Sequence, residues 1–134
     1  MQLSDIYQNP AVKDFGEALG KAIGKEQDYA SLTDLEFAQT KIDFADALHR
    51  FLRRFHTIAS KKENLWYCPP DSMVEELIRL VDNVANTVHK DDNTKYREAI
   101  RLVRAALLSR ALTQATYYRV QEAKQRQGTV AQQS

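Results

Sequence analysis

The chain has 134 residues, 28% of them charged, and a net charge of +1, which suits one domain with a single core. Seven Gly and Pro residues in all exclude collagen-like and low-complexity chains and argue against an all-β one. The one cysteine, Cys68, excludes an internal disulfide, and no apolar run approaches the roughly 20 residues that span a bilayer.

Residues 1–9 read as a short lead-in without the basic and apolar regions of a signal peptide, so a cytoplasmic setting is expected. Pro10 suits the first position of a helix that runs to about Lys25, with Val12, Phe15, Leu19, Ala22 and Ile23 on its apolar face. Gly16, Gly20 and Gly24 recur every four residues along one side, a stripe that lets another helix approach closely.

Ser31 to Lys62 contains neither Gly nor Pro and opens on Thr33-x-x-Glu36, the pattern of a capping box. Phe37, Phe44, Phe51 and Ile58 recur every seven residues, and Leu35, Ala38, Ile42, Ala45, Leu48, Leu52, Phe55 and Ala59 fill an adjoining stripe. A helix apolar over that much of its girth is normally surrounded by others, so a central helix is expected at about 33–60. Its remaining face is acidic in the first half (Glu36, Asp43, Asp46) and basic in the second (Arg50, Arg53, Arg54, Lys61, Lys62).

The connection ENLWYCPP follows, with Trp66 and Tyr67 expected to fold back over the bundle end. A third helix carries a second capping-box pattern, Ser72-x-x-Glu75, and the apolar face Met73, Leu77, Leu80, Val81, Val84 and Val88. After the polar turn HKDDN, a fourth helix is predicted from about Thr94 to Arg126 on Tyr96, Ala99, Ile100, Val103, Ala106, Leu107 and Tyr118. The expected fold is all-α: a compact bundle of four main helices around the long central one. It forms one domain over residues 1–126, and 127–134 reads as a frayed, flexible tail.

Charge alternates along the chain. Residues 1–46 carry net −5, 47–70 net +4, 71–93 net −4 and 94–134 net +6. On the fourth helix Arg97, Arg101 and Arg104 fall four and three residues apart on one face, and Arg119 and Arg126 return to it. Arginine forks match phosphate oxygens, so such a row can follow a nucleic-acid backbone, and the basic end of the central helix (Arg50, Arg53, Arg54, Lys61) can extend it. Glu98 and Glu122 are the only acids from Thr94 onward and cannot neutralise the row locally.

Arg50 and His56, six apart, resemble the Arg and His pair of HEPN ribonucleases, which implies RNA cleavage with the His in acid–base work. Asp46-x-x-His49 has no Glu-x-x-His counterpart for a di-metal bundle, and Cys68 has no second Cys or His arranged with it, so no metal or cofactor is expected. No P-loop, GxGxxG or GxSxG pattern occurs, and no catalytic site is expected.

In its size, its apolar helix with short capped neighbours and its Arg-rich faces such as Arg97-Glu-Ala-Ile-Arg101-Leu-Val-Arg104, the chain resembles the small subunit of class 1 (Cascade-like) CRISPR effector complexes. Members of that family also occur as the C-terminal part of the large subunit. The resemblance implies a non-enzymatic subunit of an antiviral, RNA-guided complex, present in several copies beside other protein subunits and touching target or displaced DNA rather than RNA. Arg50, Arg53, Arg54, Lys61, Arg97, Arg101, Arg104 and Arg119 then contact phosphate without reading bases. The alternative without nucleic acid is a protein-only helical adaptor whose charge blocks dock complementary partners.

Overall fold

The computed structural model describes residues 3–26, 29–61 and 66–133, the side chains of residue 3 and of 126–133 excepted. Helices follow one another throughout: α1 (Leu3–Tyr7), α2 (Pro10–Glu26), α3 (Ala30–Phe37), α4 (Lys41–Ser60), α5 (Ser72–Ala85) and α6 (Asp92–Gln133). No strand occurs among the described residues. The architecture is an all-α bundle, with α2, α4, α5 and α6 as its main helices and α1 and α3 as short additions.

The axis of the bundle is α6, which packs against each of the other five helices and makes its largest contact with α2. The glycine stripe explains that contact. A Cβ built on Gly20 would stand 2.5 Å from the Gln114 Cβ and 2.7 Å from the Ala111 carbonyl oxygen, and one on Gly24 3.0 Å from the Ala115 carbonyl oxygen. Gly16 similarly admits the side chain of Arg110. Only hydrogen at these positions lets two backbones come so near. The close helix approach expected from the sequence is therefore the seam between α2 and α6.

The helix expected at about 33–60 is two helices. Ala38 and Thr40 adopt extended backbone, and the Thr40 hydroxyl caps α4 by accepting from the Asp43 amide at 3.1 Å. Thr33 lies inside α3, where its hydroxyl donates to the Tyr29 carbonyl at 3.2 Å, so the Thr33–Glu36 capping box does not form. The break also reduces the apolar girth. Phe37 and Ile42, which an unbroken helix would place in the two stripes, are 75% and 74% exposed. What remains of α4 is one buried face: Phe44, Ala47, Leu48, Phe51, Leu52, Phe55 and Ala59. The helix is covered on that side alone, and the central position falls to α6.

The second capping box is absent as well. At the start of α5 Asp71 makes no side-chain cap, and the Pro70 and Asp71 carbonyls accept from Met73 and Val74 at 2.9 and 3.0 Å. Asp91 caps α6 instead, accepting from the Thr94 amide at 3.0 Å. At its other end α6 continues as helix through Gln133, past Arg126 and through the stretch expected to fray.

An aromatic column runs through the core from Phe15 to Phe51 to Phe55, with ring centroids 5.4 Å apart at each step, and ends on Trp66 at 5.8 Å. Such ring pairs hold one another beyond their area burial. Trp66 closes the end of the bundle, as the sequence suggested, and Lys21 stands over it at 5.0 Å. Tyr67 does not share that role and is exposed.

Candidate nucleic-acid interface

The eight basic residues singled out from the sequence separate into two groups. Four of them converge on α3. From α6, Arg104 Nη1 donates to the carbonyls of Leu35 (3.3 Å), Glu36 (2.6 Å) and Ala38 (3.1 Å) at the end of that helix, the Leu35 oxygen also accepting from the Ala38 amide at 3.2 Å. Also from α6, Arg119 Nη2 donates to the Tyr29 hydroxyl at 2.9 Å, just before α3 begins. From α4, Arg54 Nη2 donates to the Ser31 hydroxyl at 2.5 Å and lies 3.8 Å from Asp34 Oδ2, while Arg50 Nε lies 3.6 Å from the same oxygen. The helix α3 thus sits between α4 and α6, clamped at both ends by guanidinium groups.

Hydrophobic anchorage of α3 is slight. Leu35 is fully buried, Ala38 follows the helix into the core and Leu32 is half-buried, whereas Phe37 points to solvent. Arginine is suited to the remaining work because its planar fork can satisfy several oxygens at once. Arg104 follows Val103 by one residue and precedes Leu107 by three, and both of those are fully buried. That spacing puts it at the rim of the core stripe, within reach of a neighbouring helix. Arg50, Arg54, Arg104 and Arg119 were expected to face phosphate, and each instead has a partner within the chain.

The other four are Arg53, Lys61, Arg97 and Arg101. Arg53 on α4 and Lys61 at its C-cap are exposed with no ion pair among the described residues, and so is Arg97 on α6. Arg101 is exposed and pairs with Glu98 at 2.8 Å, an i,i+3 contact that holds the Glu98 carboxyl below its ordinary value. Pairs of this exposed kind contribute little and exchange readily. Lys62 lies outside the described residues and Arg126 outside the described side chains.

One basic residue that periodicity does not single out is Arg110. Its guanidinium stacks over the Tyr7 ring at 4.4 Å and donates to the Tyr7 carbonyl at 3.2 Å, tying α1 to α6. Position 110 borders the buried Leu107 and Ala111, the same rim signal that marks Arg104.

A cleft of about 620 Å³ opens beside α4, lined by Leu52, Arg53, His56, Thr57 and residues 68–71. Arg50 is not part of it; it lines a separate depression with Asp34, Phe37, Asp43 and Asp46. Six residues turn a helix by ~240° net, so Arg50 and His56 face different sides of α4 and line different depressions. Burial, aided by Asp71, pushes the Cys68 thiol up, away from the thiolate that a nucleophile requires. Among the described residues no three His, Cys, Asp or Glu side chains gather as a metal-ligand set, and no helix is long and apolar enough to cross a membrane.

Fold and surface together define a small all-α bundle whose arginines divide between bracing one short helix and facing solvent. No family model matches the chain, and no solved structure does. A protein of Archaeoglobus fulgidus described as an uncharacterized protein is 40% identical over 118 residues, 85% of each chain. The chain belongs to the same family as that archaeal protein.

Proposed function

We propose that the chain is a non-catalytic subunit of an RNA-guided nucleoprotein complex of the class 1 CRISPR type, working in the cytoplasm. In this reading it is present in more than one copy beside other protein subunits and contacts the backbone of DNA. The observation that carries the reading is the pair Arg97 and Arg101. They lie one helical turn apart on the exposed side of α6, the first without an ion pair among the described residues and the second paired with the half-exposed Glu98. A phosphate can take both without disturbing the core. Arg50, Arg54, Arg104 and Arg119 are engaged with α3 and Tyr29, so the reading rests less on them.

The test is the salt dependence of DNA binding by the assembled complex carrying Arg97→Ala and Arg101→Ala. Loss of two phosphate contacts makes the slope of log K against log salt shallower by about 1.4–1.8, with weakening that is uniform across sequences. Unchanged affinity and slope refute the assignment.

A second reading, a protein-only adaptor, is favoured by the exposed side chains of Phe37, Ile42, Leu112, Tyr117 and Val120, which suit protein contact. Its mark is salt-sensitive binding to a protein partner that DNA does not compete away.

A further inference from the structure

The outward face of α4 has no helix over it among the described residues, and its charges run in one direction. Asp43 and Asp46 stand exposed near its start, and Arg53 and Lys61 near its end. None of the four has an ion pair among the described residues, because Asp34 engages Arg50 and Arg54. Ile42, Asp46, Arg53, Thr57 and Ser60 follow one another along the middle of this exposed stripe at helical spacing. An acidic first half and a basic second half on one straight stripe are complementary to the same stripe reversed.

The geometry points to a second copy of this chain as the occupant, with α4 packed antiparallel on its counterpart about a two-fold axis between positions 49 and 50. In that register Asp46 of each copy meets Arg53 of the other, and Ile42 comes level with Thr57. A two-fold axis across an antiparallel helix pair sets each flank of one helix against the same flank of the other. Ile42 and His56 lie on one flank, separated by only ~40° around the helix axis. Ile42 therefore arrives at the cleft bounded by His56, Leu52, Pro69 and Pro70, which has room for it at about 620 Å³. A side chain 74% exposed in the single chain gains an apolar seat, and two ion pairs close symmetrically.

Any other protein would have to carry the same reversed sequence of charges with an apolar residue at the matching height. The chain itself supplies both. The contact gives the copies in the proposed assembly a way to meet, and it rests on that reading for its setting. It uses neither Arg97 nor Arg101, so the two assignments fail separately. One helix pair with its cleft covers less than the standard ~800 Å² per partner, the size of a transient contact rather than an obligate one.

Sedimentation equilibrium of the full chain without nucleic acid, over a concentration series at low salt, tests the contact. The expected wild-type species is a dimer of twice 15.4 kDa. Asp46→Arg alone and Arg53→Asp alone each weaken it roughly 100-fold, because both symmetric pairs become repulsive. The double variant D46R/R53D re-forms the pairs with their signs exchanged and returns to within about tenfold of wild type. Ile42→Asp dissociates the dimer with the charges intact. Far-UV circular dichroism shows that each variant keeps its helices, which the exposure of all three positions allows. A wild-type chain that stays monomeric throughout the series overturns the proposal. So does a dimer indifferent to D46R, which would use another surface.

Discussion

Replacing Arg104 by Ala separates a structural arginine from one that faces a ligand. The substitution removes one cationic donor shared by three carbonyls at the end of α3. Hydrogen bonds to charged groups contribute about 1.5–3 kcal/mol, and the freed carbonyls lie near the surface, where water partly replaces the guanidinium. The loss is therefore about 2 kcal/mol, which for a domain of this length lowers Tm by roughly 7 °C. Arg104→Lys keeps the charge but not the fork, so it recovers part of that loss. Thermal unfolding followed by Trp66 fluorescence gives the first measurement, since Trp66 stacks on Phe55 and reports the core. Hydrogen exchange of residues 35–40 gives the second, because the helix end opens before the bundle does. An R104A variant within about 1 °C of wild type, with unchanged exchange at 35–40, refutes the bracing role. Arg97→Ala, made for comparison, leaves both readings where they were.

Gly20→Ala improves helix propensity by about 1 kcal/mol but drives a methyl group into the Ala111 backbone, which cannot step aside. Overpacking of that kind costs about 1–3 kcal/mol with the backbone shifts it forces, so denaturant midpoints should fall, and fall less for Gly24→Ala, whose nearest contact is 3.0 Å. Asp91 accepts from the Thr94 amide and hydroxyl, and the amide bond foremost holds its carboxyl below the ordinary value. A depressed carboxyl stabilises the folded chain above its unfolded pKa and ceases to do so as pH falls through the folded one. Protection at the start of α6, taken relative to the intrinsic exchange rate at each pH, should therefore fall on acidification in the wild type and lose that dependence in Asp91→Ala.

Class and core were legible because periodicity reports them directly. The buried faces of α2, α4 and α5 contain most of the residues that helical spacing selects, with Ala47 and Val74 added and Val88 falling past the end of α5, and the glycines at 16, 20 and 24 line the close seam. The interruption at 38–40 was illegible because no Gly or Pro marks it. The chain turns there through Thr40 capping the next helix and Arg104 gripping the previous one, and only the first leaves a local trace, in Thr40-x-x-Asp43. The caps at Thr33 and Ser72 failed for a related reason. A capping pattern states what a hydroxyl can do at a helix start, while the chain before it decides where that start falls. The arginine face was half legible. Spacing put Arg97, Arg101 and Arg104 on one side of α6, but it carried no sign that α3 would lie against the third of them.

The bracing of α3 makes ionic strength a variable of the fold. A segment with a single fully buried large side chain is seated by guanidinium groups, two of them ion-paired to one partly exposed carboxylate, Asp34. Between 0.01 and 1 M salt the reach of such charges shrinks from about 30 Å to about 3 Å. Added salt should loosen α3 while leaving the α2–α6 seam intact, so the molecule stiffens in dilute buffer at one particular place. In that respect the short helix is a built-in electrolyte gauge, and its seating is the first thing a counterion atmosphere around the protein would alter.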